Sequence, residues 1–273
     1  EILQAGPTQL KDLSRRISKK FREMECKGLW EKSLPYRFLH SLIIRYLGKP
    51  NDAFQELRNT QSLLYRLASE HVGNLAYELF EVSLFHQMGC CHMEIRDFNS
   101  AKPALEKAME CAKRCGYRRI GEIWDSLGNF YAQVGIPEQA IRCFQTSIRE
   151  KERRLSSAQE IRIGRSITLH AIGMNEFFIR RNYDKALSYF QKSLSLSIQN
   201  RSQKGIFVSL CMLALCSFHL PKRRKEIPKI FGKLKSISKQ KWLDPWEKSL
   251  LTLSLAACLT VSGKRTKADH QLR

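Results

Sequence analysis

The chain reads as a succession of segments whose apolar residues recur with the 3.6-residue period of a helix. Thr8 to Lys27 predicts an amphipathic helix near the amino end. Trp124, Leu127, Gly128 and Tyr131 fall at i, i+3, i+4 and i+7, a single stripe along one helix. Gly135-Ile136-Pro137-Glu138 interrupts that stripe with turn chemistry, and Pro137 suits the first turn of the next helix. Ala140, Phe144 and Ile148 then make a second stripe. The unit is a helical hairpin with small residues where two helices approach closely. Ile206–Leu220 and Trp246–Val261 read as buried helices, and alternating β-branched runs with tight-turn dipeptides do not occur.

The hairpin recurs. Upstream, Met88-Gly89 precedes His92, Arg96-Asp97-Phe98 makes a turn, and Ala101, Leu105 and Ala108 form the second stripe. Downstream, Gly173 and Phe177 precede Asn182-Tyr183-Asp184, followed by Ala186 and Phe190. Fainter joins lie at Gly48-Lys49-Pro50-Asn51-Asp52-Ala53 and at Gly263 with Ala268. Ala101 to Ala140 is 39 residues, Ala140 to Ala186 is 46, and Ala186 to Ala268 is 82, about two further steps.

Trp124, Leu127, Gly128 and Tyr131 followed by Ala140 and Phe144 resemble the W-x2-L-G-x2-Y and A-x3-F pattern of the tetratricopeptide repeat, although the closing proline is absent. A period nearer 40 than 34 resembles the longer variants found in cell-polarity scaffolds and in sensor arms of signalling ATPases. The resemblance implies an all-α fold, a right-handed solenoid of antiparallel helix pairs with about twelve helices. Each pair shields its apolar face only against the next pair, so residues 1–273 are expected to act as one domain. The repeats are clearest within 80–198, with 1–79 and 199–273 degenerate or capping.

The resemblance also implies a function: a non-catalytic scaffold whose concave groove, lined by the first helix of each pair, holds a peptide or a partner helix. The residues off the packing stripes of those helices are His86, Cys90 and Met93, then Asp125, Asn129 and Gln133, then Arg165 and Asn175. Asn129 falls where chaperone-binding relatives hold a peptide carboxylate. Asp125, one turn before it, repels a carboxylate and argues against that ligand. Two alternatives stand beside the scaffold: a sensor or autoinhibitory arm of a larger signalling NTPase, and a basic helical repeat that binds nucleic acid. Glu1 in place of Met, and a helix-like run from Gly263 that stops at Arg273, read as the edges of an excised piece.

Charge motivates the nucleic-acid alternative. Of 273 residues, 47 are Lys or Arg and 26 Asp or Glu, a net charge of +21. Residues 201–273 hold 16 basic against 4 acidic residues, whereas 51–100 are net acidic. The densest run is Lys222, Arg223, Arg224 and Lys225, followed by Lys229, Lys233 and Lys235. It reads as a solvated helix face, a localisation-like patch or a phosphate-contacting stripe, with only Phe231 and Trp242 nearby to stack bases. Arg153-Arg154-Leu155-Ser156 resembles a basophilic kinase site in a linker.

The nine cysteines are odd in number and lie mostly among apolar neighbours, which predicts reduced, packed thiols and a cytoplasmic chain, with the nucleus as second compartment. His86 with Cys90, and Cys111 with Cys115, have i, i+4 spacing, but no paired short spacing completes a four-ligand zinc site. No metal or cofactor is expected. Phosphate-loop, dinucleotide, H-E-x-x-H and G-x-S-x-G motifs are missing, so no enzyme is expected. The longest apolar stretch, Ile206–Leu220, falls short of the roughly 20 residues that span a bilayer, so no membrane is expected. The oligomeric state is not legible.

Overall fold

A computed structural model describes residues 7–69, 73–238, 243 and 245–272. Among them every regular element is helical. The chain divides into two compact units, 1–130 and 131–273.

The first unit holds α1 (Pro7–Cys26), α2 (Trp30–Tyr46), α3 (Pro50–Ala68), α4 (Leu75–Glu94), α5 (Phe98–Arg114) and the larger part of α6 (Ile120–Gln133). From α1 to α5 each helix packs on the next in chain order. That is what a repeat does when its apolar stripe has no partner but its neighbour. Leu10, Ile17 and Phe21 of α1 meet Ile43 of α2, and Leu57 and Leu64 of α3 meet Leu84 and Met88 of α4. Arg37 of α2 ties the first three helices together: Nε and Nη2 donate to Glu25 at 2.5 and 2.9 Å, and Nη1 donates to Glu56 at 2.6 Å. Burial opposes the Arg37 charge, yet the two carboxylates hold its pKa above the ordinary value.

The second unit holds α7 (Pro137–Arg154), α8 (Ala158–Met174), a π-helical turn (Asn175–Ile179), α9 (Tyr183–Gln199), α10 (Gln203–His219), a 3₁₀ turn (Pro221–Glu226), α11 (Ile227–Ile237), α12 (Pro245–Val261) and α13 (Arg265–Leu272). Sequential packing continues from α7 to α10, and α12 packs on both α10 and α11. From Phe207 to Ser217, α10 is buried at every position but Val208, which is why its sequence shows no polar face. Serines knit α8 to α9: Ser166 Oγ donates to the Ser193 carbonyl at 3.1 Å, and Ser193 Oγ donates to the Ser166 carbonyl at 2.9 Å. Lys151 of α7 is buried with its Nζ 2.8 Å from Thr168 Oγ1 of α8.

The hairpin turns share one device. The residue after a first helix must take a left-handed backbone, and Gly135 does so at φ 80° just before Pro137 opens α7. At three joins an arginine takes that conformation instead: Arg96, Arg181 and Arg201 at φ 60°, 54° and 53°. Small residues mark the close approaches. Ala53, Ala101, Ala140 and Ala186 are completely buried, and a Cβ on Gly173 would stand 2.7 Å from the Phe190 ring. Helices of 17 to 20 residues in α4, α5, α7, α8 and α9 account for a repeat longer than 34.

Candidate functional site

The structure sorts the eight groove candidates into buried and exposed. On α4, His86, Cys90 and Met93 are buried. On α6, Asp125 is buried, while Asn129 and Gln133, one turn apart, are exposed. Arg165 of α8 is exposed and pairs with Glu152 of α7 at 3.4 Å. Asn175 is buried in the π-helical turn, where its Nδ2 donates to the Pro137 carbonyl at 3.5 Å and its Oδ1 has no partner. Asn129, Gln133 and Arg165 therefore have side chains that a partner reaches directly.

His86 and Cys90 come together. One turn apart on α4, they face Ser126 of α6, with His86 Nε2 at 2.7 Å and Cys90 Sγ at 3.6 Å from Ser126 Oγ. The i, i+4 spacing made this pair visible in the sequence. Ser126 was not, because it joins through the packing of helices about 40 residues apart. All nine cysteines are unbridged thiols, with Cys26 exposed and Cys115 half-buried. No group of three or more metal-ligating side chains forms among the described residues.

A further feature carries no signal that distinguishes it in sequence. On α8, Ile163 and Ile167 are exposed to 40% and 60%, one turn apart, and Phe178 and Ile179 are exposed in the π-helical turn that follows. The same helix buries Ser166, Leu169 and Ile172 on its packing side. An isoleucine pair at i, i+4 reads as core, and only the folded unit shows it left uncovered.

The basic residues of the run from Lys222 to Lys235 are all exposed. Lys222, Arg223, Arg224 and Lys225 all lie exposed on the 3₁₀ turn, with Arg223 paired to Glu226 at 3.2 Å. Lys229 and Lys233 are exposed on α11, whose Ile227, Ile230 and Leu234 are buried. Phe231 is half-buried against the core of the second unit, and Trp242 lies outside the described residues. No helix among the described residues is long and apolar enough to cross a membrane.

The tetratricopeptide repeat profile matches residues 82–114, which are the packed pair of α4 and α5. Solved structures extend the likeness along the chain. NprR in complex with its cognate peptide NprX superimposes with a TM-score of 0.63 at 18% identity, over 94% of this chain and 72% of that one. Residues 82–114 match a tetratricopeptide repeat, and the fold along the chain is like that of tetratricopeptide-repeat proteins. A signal-transduction ATPase of Pyrococcus horikoshii with a tetratricopeptide-repeat sensor is similar at TM-score 0.62 and 15% identity, over 97% of this chain and 42% of that one. BtubC from P. vanneervenii is similar at TM-score 0.61 and 12% identity, over 82% and 88%. At such identities these likenesses speak for the fold alone, an all-α solenoid of helical hairpins. Comparison with curated proteins finds no match by sequence.

Proposed function

We propose that this tetratricopeptide-repeat chain is a non-catalytic interaction module that holds a peptide or a partner helix on the exposed faces of its first helices. The uncovered Ile163 and Ile167 on α8 carry the reading. Burying what remains open of such a pair gains about 1 kcal/mol per side chain, so a folded chain that leaves it open keeps a ready apolar contact for a partner. Arg165, two residues from each isoleucine, is exposed and supplies a polar group that fixes orientation. Support also comes from NprR, a structural neighbour solved with a peptide bound.

The test is a selection of peptides from a displayed random library on the intact chain, with affinities then measured by fluorescence anisotropy. Ile163→Ser with Ile167→Ser is expected to weaken the selected peptides at least tenfold. Arg165→Ala is expected to weaken them several-fold. Circular dichroism checks that the variants stay helical. Unchanged affinity in both variants removes the proposed face.

A further inference from the structure

We propose that Cys90 is a modification site for peroxides, taking up one oxygen atom to become a cysteine sulfenic acid. The reading is independent of any peptide partner and rests on what surrounds the sulfur. His86 sits one helical turn away on the same face, and Ser126 of α6 lies within hydrogen-bond distance of both, at 2.7 Å from the imidazole and 3.6 Å from the sulfur. From α2, Arg45 reaches across to α4. It donates to Glu94 at 2.9 Å and to Gln87, which bracket Cys90 by one turn on either side. Glu122 on α6 faces His86 and adds to its preference for a proton. On the α5 side the helix contact is apolar, with Leu105 against Gly89. The sulfur thus has an imidazole and a guanidinium on hand, and its nearest hydroxyl serves both partners.

The electrostatics agree with the geometry. Burial alone raises the Cys90 thiol, but the charge and hydrogen bond of His86, with Arg45 and Ser126 behind them, outweigh it and bring Cys90 down to about 7. His86 moves the other way: burial lowers it, and Cys90 and Glu122 more than compensate. Arg45 also acts on Cys91, and Arg114 Nη2 lies 3.7 Å from Cys111 Sγ, but at these and the remaining buried thiols burial wins. Burial pushes Cys91, Cys211 and Cys216 up to about 12, and Cys111, Cys143 and Cys258 up to about 11. A thiolate is the nucleophile toward peroxides, so selectivity among buried sulfurs falls on Cys90.

The step balances with a peroxide as the only co-reactant. The Cys90 sulfur attacks one peroxide oxygen, an S–O bond forms and the O–O bond breaks. The leaving hydroxide takes the proton from the His86 imidazolium and departs as water. Sulfur is oxidised by two electrons and the peroxide is reduced by two. Cys90 and His86 keep only 8% and 9% of their surface open, so the oxidant that suits the site is a small one such as hydrogen peroxide.

The experiment treats the intact folded chain with hydrogen peroxide from pH 5.5 to 9.5, removes the peroxide with catalase, then unfolds the chain in dimedone so that every sulfenic acid is reached, and maps the adducts by mass spectrometry. Cys90 is expected to label at least ten times faster at pH 7 than Cys91 or Cys111, with a midpoint near 7. His86→Gln is expected to slow Cys90 labelling at pH 7 by roughly tenfold, the ratio of thiolate fractions between a pKa of about 7 and the ordinary 8.5. Cys90→Ser removes the adduct. A Cys90 midpoint above about 8.5, or an adduct confined to the exposed Cys26, overturns the proposal from the unsubstituted protein alone, whatever the variants do.

Discussion

His170 stands on α8 with its ring 5.1 Å from Phe190, and burial lowers its pKa to about 4. In the unfolded chain the same imidazole titrates near 6.5. Above that value both states are neutral and the residue contributes nothing to pH dependence. As pH falls from 6.5 toward 4, the unfolded chain takes a proton that the folded one refuses, so stability is lost across that window. The loss is about 2 kcal/mol by pH 5. His170→Leu keeps the volume and removes the proton site, so the fall in melting temperature between pH 7 and pH 5 is expected to shrink by several degrees relative to the parent. An unchanged fall would place the acid sensitivity elsewhere. At this scale the sequence is least informative. His170 and His86 share a residue type and a position on a first helix, yet burial drives one pKa down while Cys90 and Glu122 raise the other. Lys151 sits in a helix whose last turn carries Lys151, Arg153 and Arg154, and only the packing of α7 on α8 shows that one of the three is buried.

The elements themselves were far more legible, because each hairpin repeats a steric requirement rather than a chemical one. Ala53, Ala101, Ala140, Ala186 and Ala268 were picked out by the turn that precedes each, and all five are buried where a second helix meets a neighbour. Gly173 makes the requirement measurable. A methyl there gains the usual helix preference of alanine over glycine, about 1 kcal/mol. The same methyl would also lie 2.7 Å from a Phe190 ring that is completely buried and has no room to retreat. Overpacking of that kind costs about 1–3 kcal/mol and outweighs the gain. Gly173→Ala is therefore expected to lower unfolding stability by up to about 2 kcal/mol in urea titrations. Combined with Phe190→Leu, the double variant is expected to lose less than the sum of the two single losses, the sign of a direct contact. Strict additivity would deny that the α8–α9 approach is governed by this pair. The two isoleucines of α8 show the limit of the same reasoning. A periodic apolar pair satisfies the rule for a buried stripe, and nothing in a periodicity states whether a neighbour covers it.

At the scale of the whole molecule the net charge of +21 asks whether nucleic acid is a partner. The basic residues from Lys222 to Lys233 supply charge without a reading device. Four lie on a short 3₁₀ turn and two on α11, while Phe231 is half-buried against the core, which leaves little open ring for a base to stack on. Such a surface attracts any polyanion through counterion release and discriminates little among sequences. Six phosphate contacts would give a slope of about −5 in log affinity against log salt on duplex DNA. The chain is expected to retain DNA and RNA at low ionic strength and to release both by about 0.15 M salt, the regime of non-specific contacts. Lys222→Glu with Arg224→Glu is expected to reduce the magnitude of the slope by about two, while peptides selected on the α8 face bind the variant as they bind the parent. Filter binding across a salt series decides the matter. Retention that persists at 0.3 M salt would show base or backbone readout that this surface does not display, and would move the basic turn from a solvated face to an interface.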